Sequence, residues 1–134
     1  MKSVKFAVVL ITLTAIGCAT IADHRRLKKF EETSRAYGNS IRWADYDTAR
    51  VFLKESGTVT TSADVERLQR IRVTGYQVKQ YLTSADKKEV IQIVQINYFR
   101  VDNPVLRTVE DRQTWEYDRA AANWYLISGL PDFR

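Results

Sequence analysis

The chain has one cysteine, one histidine and two prolines, and its five glycines never cluster. Each scarcity removes a class of chemistry. The lone histidine, His24, stands close to the start of the chain. That disfavours a histidine-based acid–base mechanism, a Ser-His-Asp triad and a His-ligated metal centre. Gly38, Gly57, Gly75 and Gly129 are isolated, so there is no glycine-rich phosphate loop. Lys and Arg outnumber Asp and Glu by 21 to 16, a formal charge of +5. The basic residues are scattered among acids and match no nucleic-acid motif, so no nucleic-acid partner is expected. No metal or other cofactor is expected either. Aromatic side chains, by contrast, are plentiful, with three Trp and seven Tyr.

The single cysteine, Cys18, closes the one long apolar run. Lys2 and Lys5 supply a positive start, Phe6 to Ile16 is almost wholly apolar, and Ala15-Ile16-Gly17 leads into Cys18. This is the layout of a secretory signal. The last residues resemble the lipobox of bacterial lipoproteins, with Ala15 where leucine is usual. The resemblance implies cleavage before Cys18, a diacylglycerol thioether on its sulfur and often an acylated amine. Two or three chains on one residue anchor firmly, at roughly 0.8 kcal/mol per buried CH₂. Ala19, in place of a retaining aspartate, then implies the outer membrane of the cell envelope, facing the periplasm. Three other readings stand beside this one, and of these a buried structural Cys18 fits badly because the segment has no amphipathic pattern. Phe6 to Ala22 carries no charge and sits at the short limit of a spanning helix, about 17 residues. Thr20-Ile21-Ala22 is a poor alternative cleavage site.

Residues 1–17 are therefore read as signal peptide, 18–22 as lipidated cysteine and tether, and 23–134 as one domain with one core. With Cys18 lipidated no thiol remains for a disulfide, and the aromatic-rich core must stabilise the domain alone. Arg25, Arg26, Lys28 and Lys29 follow the tether. Cations at a helix start oppose the macrodipole. Close to anionic headgroups each gains about 1 kcal/mol, so the cluster is a candidate lipid contact beside an ordinary solvated face.

Asp23 can cap a first helix, on which Leu27, Phe30, Ser34, Tyr37 and Ile41 form one face, with Gly38-Asn39-Ser40 weakening its end. Asp45 or Asp47 caps a second helix that turns Ala49, Phe52 and Leu53 inward and stops at Ser56-Gly57. Thr58 to Ser62 reads as a polar loop and Ser62 to Leu68 as a short helical turn. The period then changes to that of strands. Ile71 to Leu82 switches parity at Gly75, which reads as a β-bulge that keeps Tyr76, Val78 and Leu82 inward. Glu89 to Val101 is apolar on both faces: Val90, Val94, Ile96 and Tyr98 against Ile91, Ile93, Phe99 and Val101. That pattern suits a central strand. Asp102-Asn103-Pro104 turns into Val105 to Tyr117, and Asp118 to Asn123 leads to a last strand, Trp124 to Ser128. Leu130 and Phe133 pack the tail.

Helices followed by four strands on short connections specify an α+β fold with an antiparallel meander. Helical Tyr37 to Leu53, the long bent strands and the ending Thr114-Trp115-Glu116-Tyr117 … Asn123-Trp124-Tyr125-Leu126-Ile127-Ser128 … Pro131 resemble the cone-shaped NTF2-like (cystatin-like) superfamily. The resemblance implies N-terminal helices packed into a curved four-stranded sheet. It also implies, for many members, a homodimer through the outer sheet face, where Ile91, Ile93 and Phe99 would lie.

That fold hosts enzymes, binders and structural domains alike, so it does not choose an activity. The enzymes resembled place a His–Asp pair, or a Tyr with an acid, in the cone, and only the second set exists here. Asp111 shares the parity of Val109, Trp115 and Tyr117, and with Tyr76, Tyr98 and Trp115 it forms the candidate pocket lining. Arg107 and Arg112 are its plain pairing partners. Gln77, Gln95 and Asn97 are weaker candidates for a polar lining, and Trp43, Trp115 and Trp124 read most simply as core. The leading expectation is a non-enzymatic, lipid-anchored domain that binds an envelope protein or its own copy. A periplasmic small-molecule binder is the first alternative, an isomerase- or hydratase-like enzyme the second.

Overall fold

The first helix does not begin at Asp23. In the computed structural model, which describes the backbone of residues 3–54 and 62–134 and the side chains of 17–54 and 64–134, helix α1 runs unbroken from Ser3 to Arg42. No proline interrupts this stretch. At about 1.5 Å per residue, its 40 residues span about 60 Å. The tether 18–22 is thus helical, and Asp23 sits inside the helix, where its carboxylate accepts from Arg26 Nη1 at 3.2 Å. Among the described residues, no helix is long and apolar enough to cross a membrane. The side chains of residues 1–16, on which the signal reading rests, lie outside the described set, as do the helix stop at Ser56-Gly57 and most of the polar loop after it.

Gly38-Asn39-Ser40 does not weaken the helix. The helix continues past them, and the glycine serves close packing instead: a Cβ at Gly38 would lie 2.8 Å from Tyr76 Cε1. The end comes at Ala44, whose φ of 56° is left-handed. Asp45 N donates to Ser40 O at 2.9 Å and Ala44 N to Ile41 O at 3.0 Å. This is a Schellman closure with alanine where glycine is usual. Asp45 then caps α2 (Tyr46–Arg50), accepting from Thr48 N at 3.1 Å. Helix α3 covers Ser62–Gln69.

Strands β1 (Ile71–Thr83), β2 (Glu89–Arg100), β3 (Asn103–Asp118) and β4 (Asn123–Leu126) form one antiparallel sheet in chain order. Residues 52–54 extend it beside β4, where Leu53 bridges Leu126 in parallel. The expected bulge is present: Val73 pairs with Tyr98 and Gly75 with Asn97, leaving Thr74 over. A second shift, between Val78 and Gln80, adds Lys79. It reverses the parity, so Leu82 faces outward opposite Ile91 and is 65% exposed, while Tyr81 takes the inner side.

On β2 the inner row Val90, Gln92, Val94, Ile96 and Tyr98 is buried, and Ile91, Ile93 and Phe99 on the outer row are half-buried. Phe30, Tyr37 and Ile41 of α1 fill the concave side. Phe30 meets Trp115 and Trp124 edge-on at 5.9 and 5.2 Å, and Tyr37 meets Trp115 at 5.4 Å. The indole Nε1 of Trp124 donates to Arg26 O at 2.9 Å. The tail returns to the core through Phe133, whose ring lies 4.8 Å from that of Tyr98. Trp43 is not core: it is 81% exposed, because the chain reverses at Ala44 immediately after the helix end.

Two truncations separate these roles. Phe133→Ala should cost about 3 kcal/mol in urea unfolding, as for other buried aromatic rings. Trp43→Ala should stay within about 0.5 kcal/mol of wild type, as a surface change does.

Candidate functional site

Alternation along β3 turns Val109, Asp111, Gln113 and Trp115 toward the helices, opposite Ile96, Val94, Gln92 and Val90. Asp111 and Gln113 therefore enter a concave face that is otherwise mostly aromatic and aliphatic, with Gln92 of β2 opposite Gln113. Gln113 is fully buried. Its Nε2 donates to Asp111 Oδ2 at 2.8 Å and to Tyr76 OH at 3.0 Å. Its Oε1 accepts from Trp115 Nε1 at 3.3 Å. One amide thus joins Tyr76, Asp111 and Trp115, three of the four expected pocket residues. Tyr98 stands apart, its hydroxyl donating to the carbonyl of Arg134.

Among the described residues no cation pairs with Asp111. Arg107 donates instead to Arg134 O at 3.0 Å, and Arg112 lies opposite Ile93 on the outer face. Burial pushes the Asp111 carboxyl up to about 6, against a weaker opposing effect from the Gln113 hydrogen bond. Burial likewise raises Tyr76, with the Gln113 bond opposing and the Asp111 charge adding to the rise. Tyr37 is raised well above 10.0, first by burial and then by the Asp111 charge. Chemically the cluster is a carboxyl that keeps its proton up to about pH 6, beside phenols that stay protonated at neutral pH. Three buried polar atoms around it have no partner: Tyr37 OH, Tyr46 OH and Gln92 Oε1.

At this level the centre of the cone is occupied by the fully buried rings of Trp115 and Tyr37. To one side, between α1 and β1, lies a groove of about 410 Å³. Tyr76 and Gln92 form its inner wall, and Asp111 is not among its lining residues.

Gln77, Gln95 and Asn97 do not enter the cone. Gln77 Oε1 accepts from Lys79 at 2.7 Å, and Asn97 Oδ1 accepts from Thr108 at 2.8 Å. The amides that matter, Gln92 and Gln113, carry the parity of their buried neighbours, and that parity was the available signal. Of the basic cluster, Arg26 is turned inward: it donates to Asp86 O at 3.1 Å and lies 5.0 Å from the Tyr117 ring centre. Lys29 donates to Ala122 O. Arg25 and Lys28 are exposed, and so is Cys18. Among the described residues, no group of three or more His, Cys, Asp or Glu is placed to hold a metal.

Helices packed on one four-stranded antiparallel sheet in chain order make this an α+β domain. The structure is similar to that of an NTF2-like protein from Cytophaga hutchinsonii, with a TM-score of 0.55 and 16% identity over 73% of this chain and 89% of that one. The sequence matches no protein-family model and no curated protein. At that identity the likeness speaks for the fold, and function has to be argued from the residues.

The buried carboxyl makes stability depend on pH. Asp111 is protonated in both states below about 3.8; between 3.8 and about 6 only the folded chain keeps the proton; above that both states are ionised. Stability contributed by the protonated form is therefore lost as pH rises through this window, by up to about 3 kcal/mol. Asp111→Asn keeps an acceptor for Gln113 and should unfold at higher urea than wild type at pH 7. The difference should vanish near pH 4.

Proposed function

We propose that this is a lipid-anchored envelope protein that holds a non-enzymatic NTF2-like interaction domain close to the bilayer and presents its outer sheet face to a second copy or an envelope protein. The observation that carries the reading is the continuity of α1. The helix that bears exposed Cys18 also supplies Phe30, Tyr37 and Ile41 to the core. About 18 Å of helix separate Cys18 from Phe30, at about 1.5 Å per residue. A lipid on that sulfur would hold the domain beside the membrane without a flexible linker.

Charge and surface support the same arrangement. Arg25 and Lys28 point away from the domain, available to anionic headgroups at about 1 kcal/mol each. At the sheet, Ile91, Ile93 and exposed Leu82 share the outer face with Tyr125 and Ile127, half-buried on β4 and just beyond it. Arg112, Thr114 and Glu116 of β3 lie between the two apolar strips, so the face is mixed in character, as protein–protein contact surfaces commonly are. The aromatic filling of the cone argues against a carrier that encloses its cargo at the centre.

Cys18→Ser should move the protein from the membrane fraction to the soluble one, and mass spectrometry of the native N-terminus should find acyl chains on Cys18. A free thiol with residues 1–17 still attached would sink the anchor. Ile93→Glu should turn a dimer into a monomer in sedimentation without changing the circular dichroism spectrum. A wild-type chain that is monomeric at every concentration and cross-links to no envelope protein would remove the interaction reading.

A further inference from the structure

We propose that the groove between α1 and β1 binds a small amphipathic anion, with an apolar body, a hydroxyl or N–H donor for Gln92, and a carboxylate or similar group for Arg35 and Arg42. This goes beyond the anchored interaction domain and does not depend on lipidation at Cys18.

Three independent observations converge on the groove. Gln92 is 4% exposed, and its Oε1 is buried with no hydrogen-bond partner. Gln92 lines the groove floor, so a half-turn of its terminal amide would present the unpaired oxygen to a donor arriving there, and satisfying a buried acceptor is where binding specificity is gained. Second, the inner row of β1 is uncovered at Val78 and Tyr81, which are 45% and 60% exposed although they face the helical side. With Phe30 and Tyr76 they make apolar walls. Third, the rim carries two cations. Arg42 Nη2 donates to Tyr76 O at 3.1 Å, which fixes its guanidinium at the edge and leaves other N–H groups for a ligand. Arg35 is exposed on the same helix. Glu31 also lies on the rim, so the balance there is one positive charge, enough to prefer an anion without demanding a multivalent one.

The volume of about 410 Å³ lies within the range of small-molecule sites. Water alone is a poor occupant, because a stable site needs several polar partners per molecule and these walls are largely apolar. The shallow side groove also accounts for a fold whose centre is filled and whose flank is not.

N-acetyl-L-phenylalanine has the required ring, amide N–H and carboxylate, and its methyl ester lacks only the charge. Equilibrium dialysis of the full chain would use lipid nanodiscs if it is recovered from membranes, and free buffer if it is not, against empty discs or buffer. The acid should bind with a dissociation constant below about 1 mM. The ester should bind about tenfold more weakly. Arg35→Gln and Arg42→Gln should weaken the acid and leave the ester unchanged. Gln92→Leu should weaken both, and Val78→Trp should abolish both while the unfolding midpoint is kept. Arg35 is exposed, so its variant reports on charge even if a groove-filling variant fails to fold. No retention of the acid at about 10 mM would overturn the proposal. Equal affinity for acid and ester, or wild-type binding by a folded Val78→Trp chain, would do the same.

Discussion

The rest of the structure hangs on the edge-on contact of Phe30 and Tyr37 with Trp115 and Trp124. Ile41, Tyr46, Leu68 and Phe133 help close the concave face of the sheet, but these rings hold its centre. Buried aromatic rings contribute more apolar area per residue than any aliphatic choice, and edge-on pairs add about 0.5–1.5 kcal/mol each. Trp124 adds a directional tie, its indole N–H reaching the Arg26 carbonyl at 2.9 Å. These contacts fix how α1 crosses the sheet, and with it the direction in which the N-terminal half of the helix leaves the domain. Gly38 belongs to the same constraint, because only a residue without Cβ lets the Tyr76 ring lie against the helix.

Filling the cone with rings has an electrostatic consequence. Hydroxyls of Tyr37 and Tyr46 are carried inside without partners, each at a cost of about 1–3 kcal/mol. The Asp111 carboxyl is desolvated without a cation beside it. Gln113 offsets part of this by satisfying Asp111, Tyr76 and Trp115 through one amide. A network with several unmet groups is expensive to keep for packing alone, since apolar replacements of the same shape would be nearly neutral. The cluster is therefore the part of the fold where the chain departs furthest from what stability would select.

Much of the architecture was legible because period and punctuation agreed. Phe30, Tyr37 and Ile41 repeat at helical spacing, the meander follows from alternation, and Gly75 marked the first bulge. The second bulge was not legible: Lys79 is an ordinary strand residue, and only pairing with β2 shows that it is extra. Leu82 was misplaced for that reason alone. Trp43 failed differently. It reads as core beside Trp115 and Trp124 by residue type, but it sits in the turn just after α1, before a left-handed Ala44 that no propensity rule anticipates. At the site, Asp111, Tyr76 and Trp115 were found by parity. Gln92 and Gln113 carried the same parity and were passed over because an amide in a strand is usually solvated. Burial of an amide is decided by what packs over it, and that is a long-range fact.

Those missed amides divide the work of the concave side. Gln113 faces the filled centre and finds all its partners there. Gln92, its neighbour across the strands, faces the groove and finds none for its oxygen. The two sit opposite one another in register, so the difference cannot come from the sheet. It comes from α1, which covers β4 and the centre with Phe30 and Tyr37 and leaves the end of β1 bare. Tilting the helix toward β1 would cover Val78 and Tyr81 but pull Phe30 away from Trp124. The aromatic clasp therefore holds the helix where it leaves a flank open. The same contact that makes the centre too full for a ligand makes the side available to one.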